Sequence, residues 1–430
     1  MSERILLWYR QDLRVTDHLP LNAAVQSGAE IFPFFCFDDR LFSQTSQGFP
    51  KTGKFRAKFL RESTINLRQN LRARGSDLIV RQGFTELAIP RLIEELKITA
   101  IYFHTYPTSE ELAIEKAVVR NSQVPYQSWW GHTLIEIADL PMQLSEVPEL
   151  FTKFRQIVEA KGLPARDILA APTRLPAIDG VEAGEIPSLI DCGLTEPIYD
   201  DRAVMDFVGG ETIGLARIEQ YFWGQDLLRS YKETRNGLIG ADYSSKLSPW
   251  LAMGCLSPRY IYAEVRKYES DRIKNDSTYW LIFELLWRDF FALMAAKHSD
   301  RLFRQSGFRS VNLPWQQDRE RFELWCCGKT GVPFVDANMR ELLATGFMSN
   351  RGRQNVASFL AKTWGIDWRW GAEWFESLLI DYDVASNWGN WNYLAGVGND
   401  ARSDRIFNIA KQAKDYDPQG EYVKLWNGTL

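Results

Sequence analysis

Five short apolar runs punctuate the first third of the chain: 5–10 (ILLWYR), 31–37 (IFPFFCF), 77–82 (DLIVRQ), 100–104 (AIYFH) and 124–130 (VPYQSWW). Stretches with helical spacing of apolar residues lie between them, including 54–74 and 86–97. Short buried strands alternating with helices predict a five-stranded parallel sheet within an α/β domain, spanning residues 1–135. The turn after Arg10 reads QDLRVTDH, and the chain contains no GxGxxG. A dinucleotide held by a glycine-rich turn is therefore not expected on this sheet.

The pattern changes after that. Prolines recur at 141, 148, 164, 172, 176, 187 and 197, with little long periodicity. Residues 136–205 read as a long connector carrying one short helix at 149–160 (ELFTKFRQIVEA). A connector of that length suits a junction between two domains better than the inside of one. From 206 to 430 the periodicity is helical, predicting an all-α domain. Residues 211–223 (ETIGLARIEQYFW) form one amphipathic stretch. Residues 278–298 (TYWLIFELLWRDFFALMAAKH) are apolar nearly all round, so that helix belongs in a large core.

Composition narrows the chemistry. Of 16 tryptophans only Trp8, Trp129 and Trp130 precede residue 200; the rest lie between Trp223 and Trp426. Core packing accounts for most of them. Five cysteines without regular spacing and four histidines isolated along the chain argue against a disulfide framework and a structural metal. Net charge is −4 and the isoelectric point about 5.8, so any nucleic acid must be met by a local basic patch. No long apolar run suggests a membrane span, and the charged start does not read as a secretory signal; a cytoplasmic protein is expected. The single GK[ST] tripeptide, at 328–330, has Glu323 where a phosphate loop needs glycine, and neither HExxH nor GxSxG occurs.

Three constellations carry the positive signal. Glu284, Trp287, Arg288 and Phe291 share one face of the 278–298 helix, and Glu284 and Arg288 have the spacing of an i,i+4 ion pair. Charges amid so much apolar surface cost desolvation energy unless something polar meets them, which suits a flat, polar, π-faced ligand. Ser244, Ser245 and Ser248, with Lys246 among them, precede a helical stretch and suggest an anion site where a simple cap would need one serine. Asn350, Arg351 and Arg353 are followed by Asp381, Asp383 and Asn387, a set with no basic residue of its own. Arg353 with Asp381 is the expected buried pair; a polar loop between helices is the plain alternative.

These segments resemble the cryptochrome/photolyase family, and within it the DASH cryptochromes. The resemblance is carried by GGETIGLARIEQYFW, YKETRNGLIGADYSSKLSPWLAMGCLSPR, WLIFELLWRDFF, KTGVPFVDANMRELLATGFMSNRGRQNVASFL, IDWRWGAEWFE, DYDVASNWGNWNYLAGVGND and YDPQGEY, with WYRQDLRVTDH and LSEVPELFTKFR nearer the start. It implies FAD folded inside the helical domain. Tyr231, Ser244, Ser245, Leu247 and Ser248 would meet the diphosphate and ribityl chain. Glu284, Arg288, Asn350, Arg353, Asp381, Asp383 and Asn387 would surround the isoalloxazine and adenine, with Asn387 facing flavin N5. Trp391, Trp368 and Trp315 would form an electron relay from flavin to surface.

The resemblance further implies light-driven splitting of cyclobutane pyrimidine dimers. Glu284 would hydrogen-bond the dimer, Trp287 would stack on it, and Arg235, Arg351 and Arg405 would hold phosphates. Tyr393 and Gln354 replace the family's more usual tryptophan and methionine, giving a more polar cavity that favours single-stranded DNA, with duplex bound more weakly. A photoreceptor or DNA-binding regulator using the same flavin is the competing class; a light-independent redox flavoprotein is a third, for which no nicotinamide site is found. Tyr106 stands where this branch often carries a carboxylate for a methenyltetrahydrofolate antenna. Glu110 or Glu111 would have to substitute, so that antenna is left open. A monomer is expected.

Overall fold

The computed structural model describes residues 3–163, 166–178, 180–400 and 405–428. Strands β1 (Arg4–Tyr9), β2 (Glu30–Asp38), β3 (Ile79–Gly83), β4 (Ala100–Thr105) and β5 (Tyr126–Trp130) form one parallel sheet in the order β3-β2-β1-β4-β5. The register aligns Ile5 with Ile31 on one side and Ala100 on the other. β1 is central and almost wholly buried, as a strand covered on both faces must be, whereas edge strand β5 is half exposed. Helices α1 (Leu19–Gln26), α2 (Lys54–Arg72), α3 (Thr85–Leu96) and α4 (Ser109–Ser122) make the crossovers.

The strand order reverses between β1 and β4, the position at which open α/β sheets present a crevice. Just beyond those strand ends, Asp12 Oδ2 bonds His18 Nε2 at 2.9 Å and His104 Nδ1 at 2.7 Å, all three residues buried. Burial drives the His104 imidazole down to about 3, so it is neutral. These histidines, isolated in sequence, thus converge in space. One ligand atom from each of Asp12, His18 and His104 lies within 4.8 Å of the others, and the carboxylate already bonds both rings, which braces the loop entering α1.

The connector holds α5 (Phe151–Lys161) and two short 3-10 turns at Ile137–Asp139 and Leu144–Glu146, and its other described residues are irregular. The helical part begins with α6 (Glu211–Ile218), which runs into a π-helical turn at Glu219–Gly224. There follow α7 (Tyr231–Thr234), α8 (Ser248–Ala252), α9 (Pro258–Asp271), α10 (Asp276–His298), α11 (Arg319–Cys326) and α12 (Pro333–Thr345). α13 (Asn350–Ser358), α14 (Trp368–Leu378), α15 (Val384–Ala395), α16 (Ile409–Tyr416) and α17 (Glu421–Asn427) complete it.

α10 starts on a reciprocal cap between Asn275 and Thr278 and runs 23 residues through the core. Midway, Asp289 accepts the Leu134 and Ile135 amides at 2.9 Å each, fastening the end of the α/β part to this helix. Burial pushes that carboxyl up to about 7. The two parts are also joined where Arg14 Nη1 donates to Gly254 O at 2.9 Å and Glu211 accepts the Val15 and Thr16 amides. Gly254 has φ +62°, and a Cβ there would overlap Gln11 O, so only glycine allows this approach. Among the described residues no helix is long and apolar enough to cross a membrane.

Candidate functional site

The functional face of α10 is wired differently from its spacing. Glu284 does not pair with Arg288; its Oε1 lies 2.5 Å from Arg235 Nη1, one residue past α7. Arg288 turns to backbone carbonyls instead, donating to His132 O and, at 3.3 Å, to Leu251 O. An i,i+4 spacing brings two side chains within reach, but a guanidinium has five donors and takes whatever acceptors the surrounding loops offer. Burial raises the Glu284 carboxyl above its ordinary value, against the opposing pull of Arg235.

His132, which sequence reasoning missed, lies against the Arg288 guanidinium, and its Nε2 is 3.2 Å from Asp383 Oδ2. Burial and then Arg288 lower the His132 pKa, so its ring is neutral and donates to Asp383. Burial alone would raise the Asp383 carboxyl. The His132 hydrogen bond and the nearby Arg288 charge outweigh that and hold it well below the usual carboxylate range. Asp383 also caps α15 by accepting Ser386 N at 2.7 Å. Nothing local marks His132 in the sequence, because its partners lie about 150 and 250 residues away.

A second cluster joins three elements. Arg353 Nη2 bonds Asp381 Oδ2 at 2.9 Å, Ser248 Oγ donates to the same oxygen at 2.6 Å, and Arg353 Nε donates to Met348 O. The other carboxylate oxygen, Asp381 Oδ1, is buried and has no protein partner. A buried acceptor oxygen normally has a hydrogen-bond partner, so Oδ1 is open to a donor from a ligand. On α15, Asn387 donates its amide to Ala372 O at 3.1 Å, which fixes its orientation and leaves the carbonyl end as the acceptor.

The serine segment differs from expectation. Its helix, α8, has only five residues, and Leu247, not a serine, is its N-cap. Lys246 is buried: its ammonium sits on the Tyr243 ring at 2.9 Å from the centroid and donates to Ser244 Oγ, so it is not presented to an anion. Ser245 is buried and Ser248 exposed at the edge of the Asp381 cluster. Tyr231 is buried at the start of α7, and Asn350 opens α13 in an exposed position.

Trp391 is buried at 2% exposure and Trp368 at 0%. Gly371, one turn along α14 from Trp368, lies directly under the Trp391 indole, where a Cβ would overlap ring atom Cη2. Trp315 is only partly buried. A backbone bridge holds its neighbour Gln316 against the turn that leads into Trp368: Gln316 N donates to Gly365 O at 2.7 Å and Asp367 N to Gln316 O at 3.2 Å. The three indoles therefore follow one another from α15 through the start of α14 to a partly exposed segment.

Around Glu284 the lining is aromatic and basic. Trp287 stacks face to face on Phe151 at 3.7 Å and meets Tyr393 edge-on at 5.9 Å. One face of Trp287 is therefore already covered. Arg351 bonds Asn236 Oδ1 at 3.1 Å and Gln354 Oε1 at 2.9 Å. Its pKa is lowered by burial and by the charges of Arg235 and Arg405, which places three arginines in one neighbourhood. Arg405 is exposed, its guanidinium over the Phe407 ring.

A cavity of about 790 Å³ opens between the sheet's carboxyl edge and the helical part. Trp8, Arg10, Tyr106, Trp370, Tyr382 and Trp388 are among its walls. Tyr106 is buried beneath the Arg10 guanidinium, 4.8 Å from its ring centre. Glu110 is paired with Lys51, and Glu111 accepts from Thr108.

Residues 280–430 match the family described as the FAD binding domain of DNA photolyase, and residues 5–177 match that described as DNA photolyase. The chain is 60% identical to "Cryptochrome DASH" of Gloeobacter violaceus over 99% of its length and 85% of that protein's. It is 49% identical to "Cryptochrome DASH" of Xenopus laevis, covering 99% of this chain and 82% of that one. The crystal structure of the Synechocystis cryptochrome superposes with a TM-score of 0.96 at 52% identity, covering 99% of this chain and 89% of the other. A bacterial class III photolyase from Agrobacterium tumefaciens superposes with a TM-score of 0.84 at 28% identity, over 99% and 86%. The chain belongs to the DNA photolyase and cryptochrome family, in the group named Cryptochrome DASH. Its helical part is accordingly a photolyase-type FAD-binding domain. The orphaned Asp381 Oδ1, beside Arg353 and Ser248, fits a ligand with a ring N–H to donate.

Proposed function

We propose that the protein repairs cyclobutane pyrimidine dimers with blue light, acting preferentially on single-stranded DNA. The observation that carries the reading is the Glu284–Arg235 pair, set beside Trp287 and Tyr393 and flanked by Arg351 and Arg405. That grouping offers a carboxyl for a pyrimidine edge, rings for its faces and guanidinia for the phosphates on either side.

FAD, when bound, supplies one-electron donor chemistry on excitation by light. Arg353, Asp381, Asp383, Asn387, Glu284 and Arg288 would hold its rings, with Asn350 beside them; Tyr231, Ser244, Ser245, Leu247 and Ser248 would hold its diphosphate and ribityl chain. Arg353 pairs with Asp381 and so balances its charge within the site. The amide bond from Asn387 to Ala372 presents the Asn387 carbonyl to a ring N–H, and rotating it to donate would cost that hydrogen bond. Trp391, Trp368 and Trp315 form the path by which electrons reach the site from solvent.

Extrusion of a damaged base pair costs a few kcal/mol and is cheapest from single strands. Base stacking returns about 1–3 kcal/mol per base. With one face of Trp287 covered by Phe151, and Tyr393 smaller than tryptophan, the stacking return here is limited, which favours a substrate already unpaired. The interdomain cavity is where we place an antenna. A folate in it would have to draw Glu110 from Lys51 or Glu111 from Thr108, since Tyr106 offers no carboxylate.

The test is blue-light turnover of one dimer-bearing oligonucleotide, presented single-stranded and then annealed. Faster loss of dimers from the single strand is expected. Tight binding with no loss of dimers in either form would refute repair and leave the photoreceptor reading.

A further inference from the structure

The segment that covers the middle and end of the assigned relay also carries charge. Residues 299–315 begin with a 3-10 turn (Ser299–Phe303) and are clamped onto α15 by Asn392. Asn392 Nδ2 donates to Leu302 O at 2.9 Å, and its Oδ1 accepts Phe308 N at 3.1 Å. Gly307 has φ +60°, and a Cβ there would overlap Asn392 Oδ1, so the turn between those anchors has one shape. Gln305 O accepts the Trp368 indole N–H at 3.0 Å, and Gln305 Nε2 donates to Asp367 Oδ2 at 2.7 Å. Asp367 N in turn donates to Gln316 O. Asp367 therefore makes the chain at Arg304 a neighbour of the chain at Trp315.

Arg301, Arg304 and Arg309 lie on this fixed segment. All three are exposed, and none has an ion pair or a side-chain hydrogen bond among the described residues. Nearby acids are matched elsewhere: Asp318 faces Arg321, Asp367 faces Arg369, and Glu149 faces Lys297 and His298. Asp300, also exposed, is the one acid in the segment. Three guanidinia against one carboxylate make a basic rim on a chain whose net charge is −4. Trp315 is half-buried, and its indole nitrogen is buried without a partner, so it shows ring carbon to solvent.

We propose that this rim is a docking surface for a small acidic one-electron carrier protein, which reduces the oxidised Trp315 ring beside it. The proposal rests on the relay assigned above. One electron leaves Trp315 through Trp368 and Trp391 for the photoexcited oxidised flavin. The Trp315 N–H has no acceptor to take its proton, so the hole on the ring stays cationic and adds to the positive rim. The carrier gives that ring one electron and leaves oxidised by one; the indole is neutral again, and no bond or proton changes hands. The three arginines share no acceptor and sit on successive turns, which suits the spread charge of a protein face better than one small anion. The arginines assigned to DNA phosphates, Arg235, Arg351 and Arg405, gather instead near Glu284.

The test uses FAD-loaded protein under a blue flash with three donors: reduced plastocyanin, an acidic copper protein; reduced cytochrome c, a basic haem protein; and ascorbate. Each protein donor reports its own oxidation by absorbance. Plastocyanin should be oxidised faster than cytochrome c, more slowly as salt rises, and about tenfold more slowly in the triple variant Arg301→Gln, Arg304→Gln, Arg309→Gln. Ascorbate should lose far less, and affinity for a dimer-bearing oligonucleotide should not change. Bound-flavin absorbance and melting temperature report that the variant is folded. Equal plastocyanin rates in variant and wild type, an equal fold loss with ascorbate, or a matching loss of oligonucleotide affinity overturns the proposal. If Trp315→Phe leaves ascorbate-driven photoreduction unchanged, the relay itself is misassigned; if it slows ascorbate while the arginine variant leaves plastocyanin unaffected, the docking surface alone fails.

Discussion

Single side chains in this protein hold more than one assignment, and the Glu284–Arg235 pair is the clearest case. In the proposed repair reaction Glu284 would meet a pyrimidine and Arg235 a phosphate, yet in the free protein they satisfy each other. Phosphate binding to Arg235 draws on the same guanidinium that neutralises Glu284. Arg235→Gln should lower the slope of log affinity against log salt by about 1. It should also disturb dimer recognition through Glu284, so its effect and that of Glu284→Gln will not add; a double-mutant cycle in an oligonucleotide binding assay measures the coupling. Additive losses would mean two independent roles. Glu284→Ala should weaken repair more than flavin retention, and a colourless protein would instead make the residue structural.

At the scale of elements, packing between α14 and α15 would set the proposed relay. The Trp391 ring rests on Gly371, so Gly371→Ala forces either the indole or the helix to move. Overpacking of this kind costs about 1–3 kcal/mol. A lower melting temperature together with slower photoreduction is expected. Trp368→Phe should slow photoreduction while protein already reduced still repairs dimers; equal loss of both would contradict the assigned path.

α17 carries a different test. Its Tyr422 hydroxyl bonds Glu341 Oε2 at 2.6 Å, fastening α17 to α12. Burial raises the Glu341 pKa from 4.5 to about 8. Between those values the native state keeps a proton that the unfolded chain has released. The stability this confers is complete below the unfolded value and is lost as pH rises toward 8. Asp289 and Glu376, both raised to about 7, act in the same direction. The buried neutral rings of His18, His104 and His132 act the opposite way up to about pH 6.5, the unfolded imidazole value. Melting temperature should therefore fall between about pH 7 and 8, and fall less steeply in Glu341→Gln.

For the molecule as a whole, the alternation of apolar runs and helices was enough to read the parallel sheet and the helical half. Strand and helix limits differ by a residue or two, because caps such as Asn275 lie outside the apolar pattern. Side-chain pairing was less legible. Helical spacing linked Glu284 with Arg288, but only the fold shows that α7 and the loop at His132 compete for those groups. Lys246 looked like an anion ligand from its neighbours and is instead buried on Tyr243. His18 and His104 meet only because β1 and β4 are adjacent, a long-range fact no local window contains. Arg353 and Asp381 were the exception, since two polar sets of opposite charge in a tryptophan-rich core leave few other partners.

The central claim is that the helical part holds a flavin reduced through its own tryptophans. The visible absorption of the purified protein under blue light, with an external reductant, tests it most directly. The wild type should carry about one flavin per chain, since such cofactor sites are few per protein, and that band should bleach on illumination while persisting in Trp391→Phe. A protein without a visible band that cannot be reconstituted with FAD, or equal bleaching in both proteins, would contradict the account.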